Sequence, residues 1–379
     1  MNQAKVLLAT MLLAASSSLG ADTPAAFPQL QESVDGLFAD LNPKQDPGCA
    51  VGVIHRGKYV LAKGYGLANL EHDIPISSAS VFRIGSVSKQ FTAMAIALLA
   101  EQGKLDLDAD VHEYLPDLMD YGHKVTIRQM AHHTAGMRDY ENDVFQLEGK
   151  PFRFGNEDYW TIQEFYQAVK DVPLRHAPGE QWQYSNLAYF LLSQVVEQVS
   201  GQTLRGFAAI NIFDPLAMKN SLFNDHIEGV ISQRADGYTR NEEGGYDILM
   251  TNLDWVGDGG VYTNLEDFIH WDQNFYKNRL GKQSPELLEL MNTPGPIPGT
   301  GGSKPFRYAF GQVIYDDEGQ DTFSHGGSWV GFRAYYERRP ARELSVVVMC
   351  NADFMDAVER GEQIMTRALD ELSTRSMGL

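Results

Sequence analysis

Ser86 and Lys89 stand three residues apart, and two further islands of chemical side chains, Tyr184-Ser185-Asn186 and His325-Gly326-Gly327, follow far downstream. A serine hydroxyl is a poor nucleophile until a neighbouring base takes its proton, and a lysine three residues on along a helix faces the same side as the serine. Tyrosine normally titrates near pH ~10, so Tyr184 can act as a base only beside a cation such as Lys89. Asn186 could orient that lysine and hold a substrate amide. Taken singly, each island has a plain structural reading: Ser86 caps a helix, Ser185 or Asn186 caps another with Tyr184 packed on Trp182, and His325 sits in a loose turn. Together they read as a site for two-step acyl transfer, in which Ser86 attacks an amide or ester carbonyl.

The elements that must position these groups follow from periodicity. Phe91, Met94, Ala95, Leu98 and Leu99 recur at helical spacing, so Ser86 is expected to open an amphipathic helix. A nucleophile there sits among free backbone N–H groups and the positive helix end, which stabilise the oxyanion formed on attack. Further helices are expected over 29–41, 161–172, 187–200 and 265–278, the last opened by a capping box of Thr263 and Glu266. Strand-like runs at 50–55 and 59–64 flank Arg56-Gly57, and others at 308–315, 322–325, 332–338 and 344–350 form a meander before a closing helix over 355–372. Gly326 and Gly327 suit an edge strand that pairs with a peptide-like substrate, with the Ser328 N–H as the second oxyanion donor.

The expected class is α/β (α+β): an antiparallel sheet flanked by N- and C-terminal helices, with an inserted all-helical region. The sheet part covers about 27–85 and 305–379, the insertion about 86–304, and their boundary is where a cleft forms. The loops at 140–158 and 295–304 give no unique reading of substrate.

Residues 1–21 read as a secretory leader: Lys5, an apolar run from Val6 to Ala15, then small residues to Ala21. The mature chain, 22–379, is therefore expected in a periplasm or outside the cell, with no membrane anchor. A net charge of −19 repels phosphate backbones, so nucleic acid is excluded as a partner and a small-molecule or peptide substrate is expected. Oligomeric state has no signal in the chain. Cys49 and Cys350 are the two cysteines, each in a strand-like run. If those strands pair antiparallel, an oxidising compartment could join them; two buried thiols is the equal alternative. His132 and His133 lack metal-ligand spacing and read as structural, so neither metal nor cofactor is expected. No G-x-S-x-G elbow and no H-E-x-x-H pair occurs.

The three islands, in this order and at these separations, resemble the serine β-lactamase and penicillin-binding protein superfamily, in its class C β-lactamase and D-alanyl-D-alanine carboxypeptidase branch. His133-Thr134-Ala135-Gly136-Met137, Pro178-Gly179 and Gly259-Gly260 are similar to structural stretches of that family. The resemblance implies that Ser86 is acylated, that Lys89 and Tyr184 transfer the proton, that Asn186 orients, and that His325 is the cation or donor of the third motif beside Gly327 and Ser328. Two departures stand out. His325 replaces the lysine usual in lactamases, and Gly326 replaces a hydroxyl residue; both family positions grip a substrate carboxylate. The resemblance therefore implies a D-alanyl-D-alanine carboxypeptidase or D-amino-acid peptidase ahead of a carboxylesterase or a weak class C-like β-lactamase, with a non-catalytic penicillin- or peptidoglycan-binding sensor as the rival of another class.

Overall fold

The computed structural model describes residues 27–140, 159–299 and 304–377. The leader expected over 1–21, residues 141–158 of one loop and residues 300–303 of the other lie outside the described residues. Seven strands form one antiparallel sheet: β1 (Cys49–His55), β2 (Lys58–Tyr65), β3 (Arg307–Tyr308), β4 (Val313–Asp317), β5 (Gln320–Trp329), β6 (Phe332–Arg339) and β7 (Leu344–Cys350). Their spatial order is β3-β4-β5-β6-β7-β1-β2, so strands from the two ends of the sequence meet at β7 and β1. Both of these are buried nearly throughout, which is why they read as runs of valine and isoleucine rather than as alternating patterns.

Five helices matter to the site: α1 (Pro28–Gly36), α2 (Lys89–Glu101), α3 (Asn186–Ser200), α4 (Leu265–Asn274) and α5 (Ala357–Met377). One face of the sheet carries Val51, Val53, Val346 and Val348 against Leu30 and Val34 of α1 and Ile364, Met365 and Ala368 of α5. The opposite face carries Ala50, Val347 and Met349 into a larger core that takes in α2, α3 and α4. Helix α2 is thus clamped between the sheet and the inserted region.

Cys49 and Cys350 face each other across β1 and β7, their Cα atoms 4.0 Å apart and their sulfurs bonded. The pairing expected of two antiparallel strands brings them together, and the bond closes a loop with a sequence separation of 301. Removing so long a cross-link frees the unfolded chain, so the Cys49→Ser/Cys350→Ser double variant should lose about 2–5 kcal/mol in denaturant unfolding. The unfolded, unreduced protein should expose no titratable thiol; finding two would remove the bond.

Several expectations are corrected. The inserted region is not all-helical: Phe82–Arg83, Val261–Thr263 and Leu222–Phe223 make a three-stranded sheet, and Tyr238–Arg240 pairs with Tyr246–Ile248. The small sheet is what ties the approach to Ser86 to the loop at Gly257–Gly260. Helix α2 is buried from Lys89 to Leu99, not amphipathic, because it is covered on every side. Asn264, not Thr263, caps α4, accepting the Asp267 N–H at 2.9 Å, while Thr263 is a strand residue bonded to Ser221. The strand expected over 308–315 breaks in two at Gly311, whose positive φ of 73° turns the backbone against Lys89 and Gln90. Finally, β5 runs unbroken through Gly326 and Gly327, an interior strand as far as Ser324. Beyond that residue β4 no longer pairs with it, so the edge expected for the glycines exists locally.

Candidate active site

Strand Phe82–Arg83 feeds a 3₁₀ turn, Gly85–Ser88, that runs directly into α2. Gly85 takes φ +51°, and a Cβ there would come within 2.7 Å of Ser328 N; a Cβ on Gly327 would lie 2.1 Å from Ile84 O and 3.3 Å from Ser86 N. Side chains at either glycine would wedge the turn off the strand. Their absence lets the main chains of Ser86 and Ser328 lie side by side.

Lys89 is fully buried. Its Nζ lies 3.0 Å from Ser86 Oγ, 2.7 Å from Asn186 Oδ1 and 2.6 Å from the main-chain oxygen of Asp258. The rings of Tyr184 and Tyr189 lie beneath the nitrogen, with centroids at 4.8 and 5.6 Å. Two of these partners are carbonyl oxygens, which can only accept. They hold two lysine N–H groups in either protonation state, while the Ser86 hydroxyl can accept a third proton or donate once the amine has lost it. Burial, reinforced by Asp139 and Asp258, holds the Tyr184 phenol well above its ordinary range, against the opposing pull of the Ser86 hydroxyl.

The start of α3 is fixed from three sides. Ser185 caps it, accepting the Ala188 N–H at 3.0 Å, as one plain reading of that island expects. Asn186 donates its N–H to Asp139 Oδ1 at 3.0 Å, which leaves its side-chain oxygen for Lys89. Ser185 N–H donates to His133 Nδ1 at 3.2 Å, and the His133 ring packs 4.3 Å from that of Tyr184. His133 is held well below its usual pKa by burial and by Lys89, so it packs as a neutral ring.

His325, expected as the cation or donor of the third motif, is neutral. Its Nδ1 lies 2.6 Å from Gly326 O, an obligate acceptor, so Nδ1 carries the proton and Nε2 accepts from Tyr308 O–H at 2.9 Å. Complete burial and the neighbouring Lys89 push the imidazole down to about 3, so the cationic role of the third motif is not available here. His132 is likewise pushed down by burial, to about 4, with Nδ1 on Tyr308 O at 3.0 Å. Both histidines are neutral when folded but bind protons below about 6.5 when unfolded. The unfolded state then holds more protons, so stability present above about 6.5 is lost as pH falls towards 4 and 3, by about 1.4 kcal/mol per pH unit for each group. Unfolding free energies measured across pH 4.5–6.5 should slope less steeply in His325→Gln by the equivalent of one proton.

Ser86, Tyr184, Asn186, His325, Gly327 and Ser328 line one groove of about 620 Å³ together with Arg333, which pairs across the strands with Ser328, and with Asp353 and Asp356; Lys89 lies beneath it. All seven residues singled out from the sequence are thus brought together. A larger cleft of about 740 Å³, lined by charged residues such as Arg56, Asp317 and Arg339, has no comparable serine–lysine pair. Sequence reasoning missed Asp258, Asp139 and Tyr308, which hold Lys89, Asn186 and His325. The available signal for Asp258 was its place in Gly257-Asp258-Gly259-Gly260, where φ values of 117° and 93° at the outer glycines mark a tight loop. Among the described residues no acidic, histidine or cysteine cluster is arranged to hold a metal ion, and no helix is long and apolar enough to cross a membrane.

Comparison with known proteins places this geometry. The D-aminopeptidase of Gluconobacter oxydans (strain 621H) is 30% identical over 325 residues, covering 85% of this chain and 59% of that protein. The chain thus spans under two thirds of the length of such curated relatives. An octameric penicillin-binding protein homologue from Pyrococcus abyssi superposes with a TM-score of 0.77 at 25% identity, covering 90% of this chain and 77% of the other. The D-amino acid amidase of Ochrobactrum anthropi SV3 shares the fold, with a TM-score of 0.72 at 19% identity over 92% and 99% of the two chains. The profile of the Beta-lactamase family matches residues 34–368. The chain belongs to that family, and with it to the serine β-lactamase and penicillin-binding protein superfamily.

Proposed function

We propose that this chain is a serine hydrolase that forms an acyl-enzyme on Ser86 and cleaves the amide bond of D-amino acid amides or short D-amino-terminal peptides. The observation that carries this reading is the Lys89 amine, 3.0 Å from Ser86 Oγ and held there by two carbonyl oxygens. Neutral Lys89 takes the Ser86 proton as Oγ attacks the carbonyl carbon, and the oxyanion rests on the N–H groups of Ser86 and Ser328. Tyr184 is held as a phenol by its burial, so it serves as the acid: it protonates the leaving nitrogen as the C–N bond breaks and recovers a proton from the Lys89 ammonium. Water then attacks the ester by the reverse path and releases the acid. No step calls on a cofactor.

Two features favour an amide over a substrate ending in a carboxylate. His325 is neutral with both ring nitrogens engaged, so it offers no charge to such a group. Arg333, in the groove wall across the strands from Ser328, donates to the main-chain oxygens of Trp329 and Phe332 and is flanked by Asp353 and Asp356. That wall therefore carries a net negative charge, which suits a substrate ammonium. A side-by-side assay of D-amino acid amides, a D-Ala-D-Ala peptide, short p-nitrophenyl esters and a chromogenic cephalosporin tests this, with the highest kcat/KM expected on the D-amides. Preference for the carboxylate-bearing peptide or the cephalosporin would overturn it. Export is part of the same proposal: the leader-like segment ending near Ala21 and the bonded cysteine pair both suit an oxidising compartment, and N-terminal sequencing of the mature protein tests it.

A further inference from the structure

The carboxyl group of Asp258 has no step in the acyl transfer described above, yet it lies deep in the protein next to the amine that does. Its main-chain oxygen accepts from Lys89, its Oδ2 accepts from the Tyr140 phenol, and Trp255 Nε1 donates to the same phenol at 3.3 Å. The remaining oxygen, Oδ1, is buried without a hydrogen-bond partner. A second charge is equally buried: Arg83, three residues before the nucleophile, has its guanidinium 5.1 Å from the Trp329 ring, with Nε and Nη1 meeting no acceptor. Such arrangements are costly, and two buried charges left partly unpaired beside a reacting centre call for a reason.

We propose that Asp258 and Arg83 are positioning residues of opposite sign that set how tightly Lys89 holds its proton, and so the pH at which Ser86 is acylated. The inference rests on the reading of Lys89 as the base. Burial alone would drive Lys89 permanently neutral, and a single carboxylate beside it would make the ammonium too stable to release its proton. A carboxylate offset by a guanidinium gives an intermediate affinity. Burial holds the Asp258 carboxyl above its usual range, opposed by Lys89, by the Tyr140 hydrogen bond and by Arg83; the attraction is mutual, so an ionised Asp258 favours the ammonium form of the amine beside it. The other groups around the amine supply less. Tyr184 and Tyr189 present ring faces, Ser86 and Tyr308 are neutral hydroxyls, and His133 and His325 are kept uncharged by burial. Asp139 is the one further anion noted near the pair, and it is engaged with the Asn186 N–H.

The test follows the rate of Ser86 inactivation by a fluorophosphonate across pH in the full chain, with thermal unfolding of each variant as a check on folding. Asp258→Asn keeps the main-chain oxygen for Lys89 and an acceptor for Tyr140 but removes the charge. The limb on which the rate rises with pH should move at least about one pH unit towards acid, a rate increase of about tenfold below the wild-type limb. Arg83→Met should move it by a similar amount towards alkali. Tyr140→Phe, which strips the carboxylate of a hydrogen bond and favours its neutral form, should shift it towards acid by less, and it stands in if Asp258→Asn does not fold. Limbs that stay put, or that move together in one direction, overturn the proposal. Lys89→Met separates this from failure of the underlying reading: a limb that survives without Lys89 sinks that reading. A limb abolished by Lys89→Met but unmoved by the charge variants sinks the present inference alone.

Discussion

Ser86→Ala should lower kcat/KM by at least about 10⁴-fold and abolish covalent labelling by a fluorophosphonate. The variant removes one oxygen from a buried constellation whose other members hold each other: Lys89 keeps Asn186 Oδ1 and Asp258 O, and Asn186 keeps Asp139. The lost hydrogen bond is worth about 1 kcal/mol, so the fold should survive while the chemistry does not. Intact-mass analysis after incubation with the probe reads the result directly. An adduct of undiminished yield on the alanine variant would place the nucleophile elsewhere. Intact-mass analysis of the wild-type chain with an amide or ester substrate, in place of the irreversible probe, addresses the sensor alternative, because a sensor keeps its acyl adduct whereas an enzyme releases it and turns over.

The second large effect is expected of Lys89→Met, which keeps an unbranched apolar stem one atom shorter and removes the amine. Acylation in a single-turnover assay should slow by about 10²–10⁴-fold, with KM changed far less, because proton transfer is lost while the groove walls remain. The substitution leaves two carbonyl oxygens without their donor, but it also removes a buried charge and its desolvation cost, so stability should change less than activity. A variant that acylates at the wild-type rate would show that the lysine is a structural cation and that the proton leaves by another route.

How far the chain could be read without coordinates depended on the range of each interaction. The Ser86–Lys89 pair is local, set by one turn of backbone, and the residue types carried the meaning. The central strands were legible because largely apolar runs at 49–55 and 344–350 demand burial on both faces, whereas whether Cys49 and Cys350 join stayed open because it depends on how those strands pair. Asp258 was not, since 169 residues separate it from Lys89 and only the fold brings its main-chain oxygen to the amine. The choice between cation and donor for His325 stayed open for a related reason: a histidine has no fixed charge near neutrality, and this one is set by burial and by a lysine distant in sequence. The misplaced cap at Thr263 shows a different limit. Thr263 and Asn264 are both competent capping residues, and strand pairing with Phe82 decided which of them was free to cap.

The pairing of β1 with β7 has a consequence for biogenesis. A ribosome delivers Ser86 and Lys89 in the first quarter of the chain, whereas Ser328 and the strand that closes the sheet's centre are translated near the end. Contacts between such distant segments form slowly and only after the intervening polypeptide is available. On the proposed mechanism, a chain not yet made as far as Ser328 carries the Ser86 hydroxyl without the wall that would stabilise charge on a bound carbonyl, and hydrolysis should appear only after the strand bearing Ser328 has joined the sheet.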